Sequence, residues 1–84
     1  MITLTRRTRF QACISFSPGR ADAAQCQTMT AKQFAAEYHK LHRLDPNASI
    51  FVDVYRNGQR VDVLALDIRN LADGVFDELT CKTE

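Results

Sequence analysis

No apolar stretch in this chain approaches the ~20 residues that span a bilayer, so no transmembrane helix is expected. The basic start, residues 1–10, is followed by no long apolar run, which argues against a secretory signal. Neither charge sign dominates. The formal net charge is +1, too small for the total alone to imply nucleic acid or a membrane surface. The three cysteines, Cys13, Cys26 and Cys81, have no CxxC or CxxxxC spacing, and their odd number excludes a complete internal disulfide framework. Zinc would need more ligands at regular spacing. Gly19 after Pro18 is a lone glycine and cannot build a phosphate-cradling loop. Ser15, Ser17 and Ser49 lack a nucleophile elbow, and no histidine has a sequence reason to lie near Cys13. The expectation from these absences is a non-enzyme with no catalytic set, metal or cofactor. Reduced thiols suit a cytoplasmic location.

What remains is typical of one small globular domain spanning residues 1–84: 45% hydrophobic and 25% charged residues, with no internal repeat or low-complexity tract. Arg6, Arg7 and Arg9 crowd the start, and residues 1–7 read as a flexible basic end. Asp73, Asp77, Glu78 and Glu84 make the other end acidic.

Residues 8–16 alternate. Phe10, Ala12, Ile14 and Phe16 share one face, and Arg9, Gln11, Cys13 and Ser15 the other, as in a half-buried strand. Ser17, Pro18 and Gly19 end it, and residues 17–29 read as a loop or short helix. Thr30 with Gln33 forms a capping box. Phe34, Ala35, Tyr38, Leu41 and Leu44 then make the apolar stripe of a helix over 31–44, stopped by Asp45-Pro46. Asn57-Gly58, which tolerates the positive φ of a type I′ turn, joins strands over 49–56 and 59–66. That turn fixes the register: Val54 faces Val61, Val52 faces Val63 and Ile50 faces Ala65. On the opposite face Phe51 meets Leu64, Asp53 meets Asp62 and Tyr55 meets Arg60. From Asp67, the positions Ile68, Leu71, Ala72, Val75, Phe76 and Leu79 predict a last helix. Gly74 inside it marks either a close approach or a break, after which Val75 onward would be a strand; the helix is the favoured reading. The order β-α-β-β-α predicts a two-layer α+β sandwich, a three-stranded antiparallel sheet with helices on one face. It resembles a ferredoxin-like domain without its last strand, in which the first strand would pair with the third.

The hairpin supplies the first candidate surface. Asp53 and Asp62 directly opposite one another would repel, so Arg60, Arg9, a basic partner or a metal should compensate. Two carboxylates are a weak metal signal on their own. Tyr and Arg are common interface anchors, so a protein-binding patch is expected at Asp53, Tyr55, Arg56, Arg60 and Asp62. The second candidate is basic. Arg6, Arg7 and Arg9 together with Lys40 and Arg43 could meet phosphates, with Lys32, His39 and His42 on the same helix. His39 and His42, three residues apart, would ligate a metal only with a third ligand, and their basic neighbours disfavour a cation.

The stretch from Val54 to Val61 followed by Leu71 to Leu79 resembles the hairpin and helix of the phage head–tail joining protein W family, small α+β proteins of the capsid portal. Histidine-containing phosphocarrier proteins also carry an Asn-Gly hairpin before a helix. They need a histidine before the arginine that opens their first helix, and this chain has Gly19-Arg20 there.

The function expected on these grounds is that of a small protein-binding, inhibitor or accessory module, of the kind found in phages and mobile elements, anti-CRISPR proteins included. Its partner would be another protein, or a second copy joined through an exposed strand edge. A nucleic-acid-binding module and a head–tail joining structural protein are the alternatives.

Overall fold

The Asn57-Gly58 turn organises the centre of the sheet, with φ of 54° and 76° at its two residues, as a type I′ turn requires. It joins β4 (Phe51–Arg56) to β5 (Gln59–Val63), with Val54 opposite Val61 and Tyr55 opposite Arg60. The structure, a computed structural model, describes residues 1–83; Glu84 lies outside them. The other described elements are β1 (Ile2–Leu4), β2 (Arg9–Ser15), a short 3₁₀ turn (Ala23–Gln25), β3 (Gln27–Thr30), α1 (Ala31–Leu44), α2 (Ala65–Ala72) and β6 (Leu79–Thr83).

The three-stranded ferredoxin-like sandwich is corrected. The strands form one six-stranded sheet in the order β1-β6-β5-β4-β2-β3, antiparallel throughout. β2 pairs with β4, the first arm of the hairpin, and not with β5. The place beside β5 is taken by β6. Residues 1–7, expected to be a loose basic end, contain an edge strand, and residues 17–29 contain the 3₁₀ turn and all but the last residue of the other edge strand.

The sheet must curl. β1 and β2 are consecutive in sequence but four places apart in the sheet, roughly 19 Å if it were flat. Residues 5–8 join them through a tight turn. The Thr8 amide donates to the Thr5 carbonyl at 3.1 Å, and the Thr5 amide donates to Thr8 Oγ1 at 3.0 Å. Such a turn brings its ends within about 7 Å. The result is a half-barrel whose open side is closed by α1. At the start of α1, the Ala31 amide donates to the Thr8 carbonyl and the Lys32 amide to the Arg6 carbonyl. The Gln33 amide donates to Thr30 Oγ1, so the expected capping box forms. Phe10, Ala12, Phe34, Tyr38, Val54, Val61, Leu71, Leu79 and Cys81 fill the space between helices and sheet. Phe34 meets Phe10 edge-to-face with ring centroids 5.5 Å apart.

The last predicted helix is corrected too. α2 ends at Ala72 in a Schellman motif: the Gly74 amide donates to the Leu71 carbonyl and the Val75 amide to the Asn70 carbonyl. Leu79 and Cys81 then point into the core from β6, alternating with Thr80 and Lys82. Asp67 does not cap α2. It lies in the first turn, and its carboxylate accepts the Thr80 amide at 2.7 Å, tying helix to strand. His39 Nδ1 lies 3.1 Å from the Ala72 carbonyl, which can only accept, so this nitrogen carries the proton.

Gly74 has φ of +79°, and a Cβ there would lie 3.1 Å from His39 Cε1. Gly74→Ala should therefore destabilise the fold by about 1–2 kcal/mol. Urea unfolding checks this; a neutral or stabilising substitution would contradict the α2–α1 packing described.

Candidate functional site

The hairpin places Asp53, Tyr55 and Arg60 on the sheet face away from the helices, because they alternate with the core residues Val54 and Val61. An open face was expected there. Instead, the chain between β2 and β3 folds over it. Asp53 is only 6% exposed. Its Oδ2 accepts the Ala21 amide at 3.0 Å, and its Oδ1 takes the Arg60 guanidinium at 2.5 Å. The Tyr55 hydroxyl donates to the Ala21 carbonyl at 3.1 Å, so one peptide link on either side of Ala21 is held by two side chains. The Arg60 guanidinium lies 5.9 Å from the Tyr55 ring centroid. Gln11 donates to the Ala23 carbonyl at 2.9 Å. The loop is also shaped locally: Asp22 and Gln25 form a reciprocal capping box around the 3₁₀ turn.

The acidic pair is thereby explained. Arg60 is the compensating cation for Asp53. Asp62 is exposed and stands directly across from Lys82 on β6, an opposite-charge pair. Burial pushes the Asp53 carboxyl up, but the Ala21 amide, the Arg60 hydrogen bond and charge, and the charge of Arg20 outweigh it. The net result is a carboxyl held below its ordinary value. Of the five residues expected as a protein-binding patch, Asp53, Tyr55 and Arg60 thus clamp the loop, Asp62 faces Lys82, and Arg56 donates to Asn57 Oδ1 at the turn.

The basic residues divide between surfaces. Arg9 is on β2 opposite Thr30, on the face away from the helices. Arg6 and Arg7 are in the turn beside the start of α1. Arg6 donates to the Phe76 carbonyl at 3.0 Å, and its guanidinium carbon lies 5.8 Å from the Phe76 ring centroid. Lys32, Lys40 and Arg43 are exposed along α1. Arg6, Lys32, Lys40 and Arg43 therefore line one stripe, and Arg9 is not part of it. Among the described residues no group of three or more His, Cys, Asp or Glu side chains could hold a metal ion, and no helix is long and apolar enough to cross a membrane.

The sequence leads one to expect an exposed strand edge but not its place or the groove beside it, which lie at β3. β2 pairs with β3 only through Ala12, whereas it pairs with β4 as far as Ser15. Ile14 and Ser15 thus have no strand on that side. A groove of about 590 Å³ opens there, lined by Ile14, Gln25, Gln27, Met29, Ala36 and Glu37 among others. The pattern Gln27-Thr28-Met29-Thr30 has no charge and no proline, so its shortness is left to protect the edge without either of them.

Compared with known protein families, characterised sequences and solved structures, the chain shows no significant match to any. The likeness to the head–tail joining protein W family rests on the hairpin and following residues alone, and the helix that it places over Leu71 to Leu79 ends at Ala72, with Leu79 opening β6.

Because the Asp53 pKa is lower in the folded chain than in the unfolded one, its stabilisation is complete above about pH 5 and is lost as pH falls through about 4 and below. Asp53→Asn should cost about 1–3 kcal/mol at pH 7. The difference between Asp53→Asn and the parent should shrink at pH 3. Urea midpoints at the two pH values measure it, and an equal difference at both would remove the charged clamp from the account.

Proposed function

We propose that this chain is a non-enzymatic protein-binding module that takes an extended segment of a partner protein along the β3 edge. The observation that carries the reading is the shortfall of β3: β2 runs on past it, beside a groove floored by Ile14, Met29 and Ala36. A segment laid there would hydrogen-bond to exposed backbone, as in β-strand addition, and drop alternate side chains into the groove. Glu37 gives that groove an acidic side, which favours a basic residue on the segment. Asp53, Tyr55 and Arg60 support the surface indirectly, by holding the chain that leads into β3. An inhibitory or accessory role in a reducing cytoplasm fits a module of this size.

The test uses partner protein retained from a bacterial lysate. Amide exchange should then slow at Ile14, Ser15 and Gln27–Thr30, and Thr28→Lys should weaken retention about tenfold or more without altering the fold, since it charges the edge. Thr28 is exposed on β3. Retention unaffected by Thr28→Lys would sink the proposal, and protection on both copies of a dimer would identify the partner as a second copy.

A second reading follows from the stripe of Arg6, Lys32, Lys40 and Arg43, which could bind nucleic acid. Fluorescence anisotropy of a labelled oligonucleotide at low salt should then show binding that weakens steeply with added salt and is lost in Lys40→Glu/Arg43→Glu. No association at low salt excludes this reading.

A further inference from the structure

The β2–β3 ladder pairs Arg9 with Thr30, Phe10 with Met29, Gln11 with Thr28 and Ala12 with Gln27. One further step places Cys13 opposite Cys26. The backbone supports that step, because Cys26 is extended, with φ of −88° and ψ of 147°. Directly opposed residues of antiparallel strands have Cα atoms about 4.5 or 5.5 Å apart, and both values fall within the range a disulfide accepts.

The side chains are on one face. Cys13 alternates with the core residue Ala12 and so points away from the helices, toward the loop that covers Asp53. On its other side Cys13 pairs with Asp53 of β4. The Cys26 sulfur lies 4.0 Å from the Asp53 carbonyl oxygen. It therefore reaches from the β3 side across Cys13 to β4. Both thiols are free in this structure. Cys81 is in the core on β6 and takes no part.

The geometry points to a modification site: Cys13 and Cys26 form a cross-strand disulfide when a small-molecule disulfide such as oxidised glutathione is supplied. Cys13 is half-buried and Cys26 buried, so Cys13 reacts first. Its thiolate attacks one sulfur of glutathione disulfide, that S–S bond breaks, and one glutathione leaves as a thiolate that takes up a proton. Cys26 then gives its proton to solvent and attacks the Cys13 sulfur, expelling the second glutathione. Two protein thiols are oxidised, and one glutathione disulfide is reduced to two glutathione molecules. The second step is the slow one. Burial, with the charges of Cys13, Asp53 and Asp22, pushes the Cys26 thiol up and lowers its thiolate fraction. The product ties the loop over 17–25 to β2 at both ends. The assignment holds whichever surface binds a partner.

The folded protein is equilibrated with oxidised and reduced glutathione, quenched in acid, alkylated in denaturant and digested with trypsin. Cleavage after Arg9, Arg20 and Lys32 leaves Cys13 in residues 10–20 and Cys26 in residues 21–32. The expected result is these two peptides joined by a disulfide, with Cys81 alkylated. Excess reduced glutathione should reverse the bond, and Cys13→Ser and Cys26→Ser should each abolish it. Amide exchange of residues 21–26 should slow by about tenfold or more in the oxidised form. A glutathione adduct that persists on Cys13, a bond that forms only in urea, or a bond that includes Cys81 would each overturn the assignment.

Discussion

Asp53 is charged and almost fully buried, a placement that costs several kcal/mol unless charge and hydrogen bonds replace the lost water. Two replacements come from different parts of the chain. Arg60 arrives through the hairpin register, and the Ala21 amide arrives from the loop. The carboxylate therefore joins sheet and loop, and the loop in turn delivers Cys26 and the start of β3 to the edge of β2. Tyr55 holds the next peptide of the loop through the Ala21 carbonyl. The candidate binding edge and the cysteine pair both depend on where this loop is held.

The curl of the sheet is the second constraint. Residues 5–8 are too tightly turned to bridge a flat sheet, so β1 and β2 must approach each other around a half-barrel. α1 fits into the open side and gives its first amides to the carbonyls of that turn. Those amides are consequently occupied and do not form an anion site, which removes one attraction for phosphate at the basic end of the molecule. Arg6, drawn to Phe76, binds the same turn to the segment between α2 and β6.

Where sequence and structure agree, a strong local pattern was at work. The alternation of residues 9–15, the capping box and apolar stripe of residues 30–44, and the Asn57-Gly58 turn each bring their own evidence within a few residues. The strands that went unseen are short and weakly patterned. Ile2–Leu4 is too brief to show alternation, and Gln27–Thr30 is polar because it lies at an edge. Leu79–Thr83 did alternate, but Val75, Phe76 and Leu79 also matched a helical spacing, and only the Schellman ending at Gly74 separates the two. Asp22 and Gln25 were a readable capping box that would have located the 3₁₀ turn.

The candidate site was legible as a group of residues and not as a place. Sequence alone determined that Tyr55 faces Arg60, that Asp53 shares their side of the sheet, and that the carboxylate needed a cation, because a two-residue turn sets register and register sets the face of every side chain. Only the tertiary structure decided that this face is covered by residues 17–26, that Asp62 stands opposite Lys82, and that the open edge is beside Ile14. Those outcomes depend on which strands become neighbours across the whole chain. Local pattern selects strands and faces, whereas neighbours are selected by burial of the common core and by the reach of the connections between strands.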